Sequence, residues 1–355
     1  MKKFRVGVVG CGGIATWTHL PAYTQLCKEG LAEVVGLCDI KLEKTQPPLE
    51  FWPDAYTTAD YHDLLKDETI DVIDICTPNY LHSIIAIEAM KAGKHVFCEK
   101  PDAITVEEVE MMKKTSEETG KRLMIMRNNR YLKSSQYLKK QIERGEFGDM
   151  YCGRCGWQRR RGIPGKGGWF TTKAQSGGGP LIDLGVHMID LALWLMGNPK
   201  PVAVTGCTYS KFAGNDVSDS DNSKFGDKAA DGVYDVEDLA MGFVRMDNGA
   251  CLTIECSWAS NIEKERRFVE LYGTKAGLKW DTEHLTLFEE RGGTLVDSIP
   301  KMPAVSKGHE MNLRHFVDVV LHGEKPMFVP EQGVDMVKLL CALYESAATG
   351  KEVQL

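Results

Sequence analysis

Residues Phe4 to Gly10 (FRVGVVG) form a short apolar, β-branched run that ends in Gly10-Cys11-Gly12-Gly13-Ile14-Ala15, a G-x-G-x-x-A turn. This junction restricts the fold more than any other stretch of the chain. A strand buried on both faces reads as a continuous apolar run rather than an alternating one. In such a turn the first glycine permits the tight bend, and the second lets the backbone approach a pyrophosphate. The small last residue lets the next helix pack closely on the strand, with its N-terminus facing the phosphate charge. A glycine turn alone is a weak signal. Here it stands between a strand and a helix expected from about Ile14 to Lys28, and the second strand, Ala32 to Asp39 (AEVVGLCD), closes on an acid. Asp39 is placed to accept hydrogen bonds from adenosine ribose hydroxyls and to repel a 2′-phosphate. Ile40 follows it rather than an arginine, although Lys41 and Lys44 are near, so NAD is favoured over NADP. Gly10, Gly12, Gly13, Ile14 and Asp39 are the first cofactor-binding candidates.

The same alternation continues. Asp71 to Thr77 (DVIDICT), His95 to Cys98 and Leu123 to Met126 read as strands. Between them, Ile84, Ile85, Ile87 and Met90 recur at helical spacing, and Thr105 caps a helix with Glu107 and Glu108 in its first turn. Strands separated by helices predict right-handed βαβ units and a doubly wound parallel sheet. From about Met150 the texture changes. Val202–Phe212, Leu239–Met246, Ala250–Ala259 and Arg267–Tyr272 read as long strands, and Asp247-Asn248-Gly249 as a hairpin turn. Helices are expected over Leu181–Met196, Met311–Leu321 and Gln332–Ala348. The chain thus divides into an α/β domain over residues 1–127 and an α+β domain with a large, open, mostly antiparallel sheet over 128–355. The last helices of the second domain are free to pack back on the first. A length of 355 residues fits two such domains. The Asp-, Gly- and Ser-rich residues 213–235 lack the pattern of a calcium loop and read as a solvated connection.

Charge and cysteine content narrow the partners. Lys and Arg number 43 against 50 Asp and Glu, and this acidic balance argues against nucleic acid or an anionic membrane as partner. The eleven cysteines are odd in number and lie on apolar stretches. Cys152 and Cys155 form the one C-x-x-C, with no second pair or histidines at ligand spacing, so no metal site is expected. A reduced, cytoplasmic chain follows. Met1-Lys2-Lys3 before an apolar run imitates a leader, but Gly7, Gly10, Gly12 and Gly13 interrupt it, and no run approaches 18 apolar residues.

Polar clusters at later strand ends belong to the same expected crevice, because ligands of such sheets lie beyond the strand C-termini. They are Thr77-Pro78-Asn79 with His82, and Glu99-Lys100-Pro101. Lys100 beside a reacting oxygen can lose its charge when desolvated or hold it to polarise a carbonyl. Further on, Gly177-Gly178-Gly179-Pro180 opens a helix on which Asp183 and His187 stand four apart, on one face. An imidazole with a carboxylate neighbour can take a proton from an alcohol as its hydride leaves. Residues 150–182 hold no acid but carry Arg154, Arg159, Arg160, Arg161, Lys166 and Lys173. They predict a glycine-rich, flexible, positive rim over the site, with Trp169 stacking on a sugar face and Arg161 and Lys173 reaching substrate.

These motifs, with His19-Leu20-Pro21-Ala22-Tyr23, Arg314-His315-Phe316 and Tyr344-Glu345-Ser346-Ala347, resemble the glucose–fructose oxidoreductase/inositol dehydrogenase/rhizopine catabolism (Gfo/Idh/MocA) family along nearly the whole chain. The resemblance implies a Rossmann domain, and an α/β second domain whose open sheet forms homodimers or homotetramers. It also implies NAD(P)-dependent chemistry on a sugar or polyol carbon. Lys100 would contact the nicotinamide ribose and the reacting oxygen, His187 act as general acid/base, and Asp183 bind substrate. Thr77, Asn79, His82 and Glu99 join the cofactor set. Asn129 stands where relatives often carry the first arginine of Asn-Arg-Arg-Phe. The expected function is oxidation of a secondary hydroxyl of a sugar, glycoside or cyclic polyol by NAD, with C3 of a pyranoside a specific case. One alternative is an NAD-dependent glycosidase that recycles its cofactor through transient C3 oxidation. Another is a non-enzymatic NAD-responsive regulator, which the presence of both Lys100 and His187 disfavours.

Overall fold

The computed structural model describes residues 3–214, 225–281, 284–302 and 307–355. Residues 215–224 of the acidic connection lie outside that set. The chain forms two compact units, Met1–Asn128 with Lys307–Val337 and Asn129–Ser306 with Lys338–Leu355. It therefore passes between units three times, whereas a single boundary after residue 127 allows one passage. The returning segment is held by burial: Phe316 sets its ring edge-on to Phe4 at 5.8 Å and tilted on Phe97 at 5.2 Å. Asn312 Oδ1 also accepts the Arg127 backbone N–H at 2.7 Å.

The first unit contains six parallel strands, β1 (Phe4–Val9), β2 (Ala32–Cys38), β3 (Tyr56–Thr58), β4 (Val72–Ile75), β5 (His95–Cys98) and β6 (Leu123–Ile125). Their order is β3-β2-β1-β4-β5-β6, which reverses direction between β1 and β4. Ligands of such sheets lie beyond the strand C-termini at that switch point, where the glycine turn leaves β1. The helix after the turn contains a π turn at Ala15–His19 before its α-helical part, Leu20–Lys28. Thr105 and Glu108 form a reciprocal capping box, as the acidic first turn suggests.

Among the described residues, the second unit is built on nine strands: β7 (Met150–Gln158), β8 (Pro201–Tyr209), β9 (Leu239–Met246), β10 (Cys251–Ser257), β11 (Arg266–Gly273), β12 (Ala276–Asp281), β13 (Leu285–Arg291), β14 (Thr294–Ser298) and β15 (Val353–Gln354). Their order is β14-β13-β12-β11-β7-β10-β9-β8-β15, antiparallel throughout except for β7 beside β10. The helix Val186–Leu195 packs against β7 and β11 on the inner face. Met241, Phe243, Tyr272 and Phe288 remain exposed on the other. Residues Lys173–Leu195 are, contrary to the sequence expectation, long and apolar enough to cross a membrane by length and composition. Yet 89% of that apolar window is buried inside the structure, as in the core helix of a globular unit.

Strand β7 occupies the first residues of the segment expected to form a flexible rim from residue 150. Gly153 and Gly156 hide its alternation, and both are required by packing: a Cβ at Gly153 would meet the Leu271 side chain at 2.5 Å, and one at Gly156 would collide with the Glu255 carbonyl oxygen. Alternation along β7 sends Cys152 and Cys155 to opposite faces, so the pair cannot close on one ion.

Candidate active site

The glycine turn is shaped for a ligand's backbone approach. Gly10 adopts φ +91°, and a Cβ there would lie 2.6 Å from the Cys76 carbonyl oxygen. Gly12 has nothing within 4 Å of its notional Cβ, so the protein leaves the space above it open. The amides that start the helix have no intrahelical acceptor. Asp39 braces the turn, accepting the Cys11 N–H at 2.9 Å and the Lys41 N–H at 2.9 Å. A carboxylate has about four acceptor sites, so two backbone donors leave capacity for ribose hydroxyls. Across the switch point, the buried Thr77 Oγ1 has no partner among the described residues. An open glycine, helix-start amides, an acceptor and an orphaned hydroxyl fit a dinucleotide.

A buried ion network lies beneath this turn. His19 places Nδ1 2.8 Å from Asp74 Oδ2 and Nε2 2.8 Å from Glu99 Oε1. Both partners only accept, so the ring donates from both nitrogens and is an imidazolium. Burial opposes that charge, but the attraction of Asp74, reinforced by Cys76 and the hydrogen bonds, carries the His19 pKa well above its ordinary value. Glu99 is the mirror case. Burial pushes its pKa up, but the hydrogen bond and charge of His19, then His309 and Lys100, hold it far below the carboxylate range. His19, Asp74 and Cys76 are grouped closely enough to hold an ion. Each ring nitrogen of His19 already meets a carboxylate.

Two sequence-predicted cofactor residues have buried protein partners of their own. Glu99 is buried against His19 and uses its other oxygen to accept the Lys100 N–H at 3.1 Å. His82 is fully buried, with Nδ1 2.7 Å from the Pro101 carbonyl and Nε2 3.0 Å from the Thr77 carbonyl. It clasps the two strand-end loops together. Asn79 is buried and Lys100 half-exposed beside them. Sequence reasoning missed His309, whose field acts on Glu99. Burial, with opposition from His19 and Lys100, lowers its pKa to about 4, so it is neutral at pH 7.

In the second unit, the helix of Asp183 and His187 opens with a π turn, Leu181–Gly185, followed by α-helix Val186–Leu195. Asp183 Oδ2 accepts the Trp258 Nε1–H at 2.9 Å. The His187 ring lies 6.0 Å from that of Trp157, and its carbonyl accepts Asn129 Nδ2–H at 3.4 Å. A short carboxamide at position 129 thus ties to the helix backbone. The helix start is held by the buried Glu237, which accepts the Gly179 N–H at 2.9 Å, the Leu181 N–H at 3.2 Å and the Tyr344 hydroxyl at 2.9 Å. Burial raises its pKa, and these bonds oppose the rise. Sequence position offered no signal for Glu237 or Trp258, which lie 56 to 75 residues from the positions they bond.

The expected basic rim is dispersed. Arg154 lies on β7 with Glu255, 3.2 Å away. Arg161 donates to the Ser260 carbonyl at 2.9 Å and to Asn261 Oδ1 at 2.8 Å, with its guanidinium 4.6 Å from the Phe212 ring. Trp169 stacks on Phe170 at 3.8 Å, which occupies one of its faces. Lys173 is exposed, with its backbone N–H on Asp235 at 2.6 Å. Nor is the segment a loose flap. A Cβ on Gly167, Gly168, Gly178 or Gly179 would strike, in turn, the Ala229 carbonyl, the Asp227 carbonyl, the Tyr344 hydroxyl and the Glu237 carbonyl. These glycines serve close packing.

Residues 4–126 match the family model described as oxidoreductase family, NAD-binding Rossmann fold, and residues 135–279 match the GFO/IDH/MocA C-terminal domain. D-glucoside 3-dehydrogenase of Escherichia coli (strain K12) is 32% identical over 100% of this chain and 98% of its own. Levoglucosan dehydrogenase of Pseudarthrobacter phenanthrenivorans is 30% identical over 64% of this chain and 59% of its own. A structure of levoglucosan dehydrogenase in complex with NADH and levoglucosan covers 99% of both chains at 23% identity, with a TM-score of 0.86 that establishes the shared fold. With an NAD-binding sheet of matching strand order and full-length similarity to characterised dehydrogenases, the chain is an oxidoreductase of the Gfo/Idh/MocA family.

Proposed function

We propose that this protein oxidises a secondary hydroxyl of a sugar or glycoside, with C3 of a pyranoside the favoured position. The carrying observation is the Asp183–His187 helix, held at its start by Glu237 and at Asp183 by Trp258. Full-length similarity to a D-glucoside 3-dehydrogenase supports the substrate class. Bound NAD would supply the hydride acceptor. His187, half-exposed, takes the hydroxyl proton, and Asp183 orients the substrate and favours the protonated imidazole that results. The Lys100 ammonium stabilises the developing negative charge on the substrate oxygen, and Glu99 and His19 fix the backbone from which it projects. Gly10, Gly12, Gly13, Ile14, Asp39, Thr77 and Asn79 hold the dinucleotide. Lys173 and Trp169 serve the sugar. The exposed Met241, Phe243, Tyr272 and Phe288 support self-association through the outer sheet face, measurable as a dimer or tetramer mass by light scattering.

Initial rates of NADH formation over a panel of pyranosides, glycosides and inositols test the reading. Net NADH from a glycoside or sugar, lost in Lys100→Ala and His187→Ala, is the expected result. Aglycone release without net NADH would overturn net oxidation, and reduction of NADP alone would overturn the role of Asp39.

A further inference from the structure

Among the described residues, two arginines beneath the Asp183–His187 helix have no acid at ion-pair distance. Arg267 and Trp157 are directly opposite each other on β11 and β7. The Arg267 guanidinium lies 3.5 Å from the Trp157 ring centroid, and that of Arg159 lies 5.0 Å from the same ring. His187 packs its ring on Trp157 from the helix side. Arg159 is only 9% exposed, gives one N–H to the Gly162 carbonyl at 3.1 Å, and keeps a buried Nε with no partner. Among the described residues, neither guanidinium reaches a carboxylate at ion-pair distance. The acids that act on them from afar are Asp183, already bonded to Trp258, and the exposed Glu265.

Buried charges are ordinarily paired, and a cation–π contact offsets only part of the desolvation of a guanidinium. Two like charges sharing one ring add repulsion. Burial first, then the Arg159 charge, lowers the Arg267 pKa to about 10. An arrangement that gathers uncompensated positive charge next to a proton-transfer residue is completed by an anion from outside. Guanidinium forks match carboxylate and phosphate oxygens two at a time.

We propose that Arg159 and Arg267 form an oxyanion subsite, so that the preferred substrate is a sugar bearing a carboxylate or a phosphate ester. The inference rests on the sugar-oxidation reading above and specifies its substrate class. With the full chain and saturating NAD, kcat/KM is compared for methyl β-D-glucoside, methyl β-D-glucuronide and glucose 6-phosphate. Wild type, Arg159→Gln, Arg267→Gln and Arg267→Lys are measured side by side. One of the two anions is expected to exceed the neutral glycoside by about tenfold or more, and which one identifies the oxyanion. That ratio falls at least about tenfold in both glutamine variants and partly recovers in Arg267→Lys, since the charge returns without the fork. Because the ratio is taken within one variant, a loss of folded protein does not move it. Calorimetric titration of the NAD-loaded enzyme with D-glucuronate and D-glucose gives the matching difference in binding. A wild-type ratio near one for both anions, or one unchanged by either glutamine variant, overturns the subsite and leaves the sugar-oxidation reading intact. No NADH from any sugar, with NAD binding preserved, overturns that reading and this inference with it.

Discussion

Gly12 and Gly179 both precede helices that open with a π turn, at Ala15–His19 and Leu181–Gly185. A methyl on Gly12 would stand in open space, whereas one on Gly179 would strike the Glu237 carbonyl. The acids that hold the two helices differ in the same sense. Asp74 and Glu99 grip the first helix by its His19 side chain and leave its first amides to a ligand. Glu237 takes the starting amides of the second for itself. One helix start is therefore an anion site for something external. The other is already filled by the protein's own carboxylate, and that helix contributes side chains instead. Glycine enrichment near a helix start identifies a phosphate cradle only when nothing in the protein occupies the space.

The sharpest way to break this contrast is to remove His19. His19→Gln leaves two buried carboxylates without their cation and is expected to destabilise the first unit by about 3–5 kcal/mol in denaturant unfolding. A loss under 1 kcal/mol would mean that the network does not hold the helix. Next comes Gly179→Ala, which forces the helix start off Glu237 and lowers stability by about 1–3 kcal/mol. Gly12→Ala is its counterpart. Its unfolding midpoint stays within error, but NAD affinity by fluorescence titration drops about tenfold, or about 1.4 kcal/mol. If Gly12→Ala unfolds the protein while binding is retained in the folded fraction, the distinction fails.

The pH dependence of stability sharpens the first half further. His19 has a raised folded pKa, so its contribution is complete below the unfolded value and is lost as pH rises through the folded one. Glu99 has a lowered pKa, and its contribution is present above the unfolded carboxylate value and lost as pH falls. His309, lowered to about 4, stays neutral while the unfolded chain takes up a proton, so stability falls as pH drops from 6.5 towards 4. His309→Gln is expected to flatten that acid limb in thermal scans. An effect as small as that of Gly12→Ala is expected of Trp258→Phe, which keeps the bulk but removes the N–H on Asp183. A fall in kcat of about tenfold with little change in NAD affinity is anticipated.

The first unit was the more legible from sequence because its determinants are local. Apolar runs mark the buried parallel strands, and the G-x-G-x-x-A turn with Asp39 falls within 30 residues. What escaped depends on distance along the chain. Glu99 and His82 look like ligands of a crevice until their buried partners, His19 and the Thr77 and Pro101 carbonyls, are in place. Strand β7 was obscured by Gly153 and Gly156, since glycine contributes no apolar side to an alternation. The glycine-rich stretch before Asp183 suggested mobility, because composition does not separate a glycine that must bend from one that must make room. Arg267 carries no motif at all; only its register opposite Trp157 gives it meaning.

The return of Lys307–Val337 to the first unit also bears on synthesis. A ribosome delivers the dinucleotide-binding sheet before the second unit, but Phe4 and Phe97 receive Phe316, and Arg127 receives Asn312, only after residues 129–306 have been made. The apolar surface of the first unit thus stays incomplete while the body of the second is synthesised. A fragment ending at residue 128 should be poorly soluble on its own, and supplying residues 307–337 through a short linker should restore it.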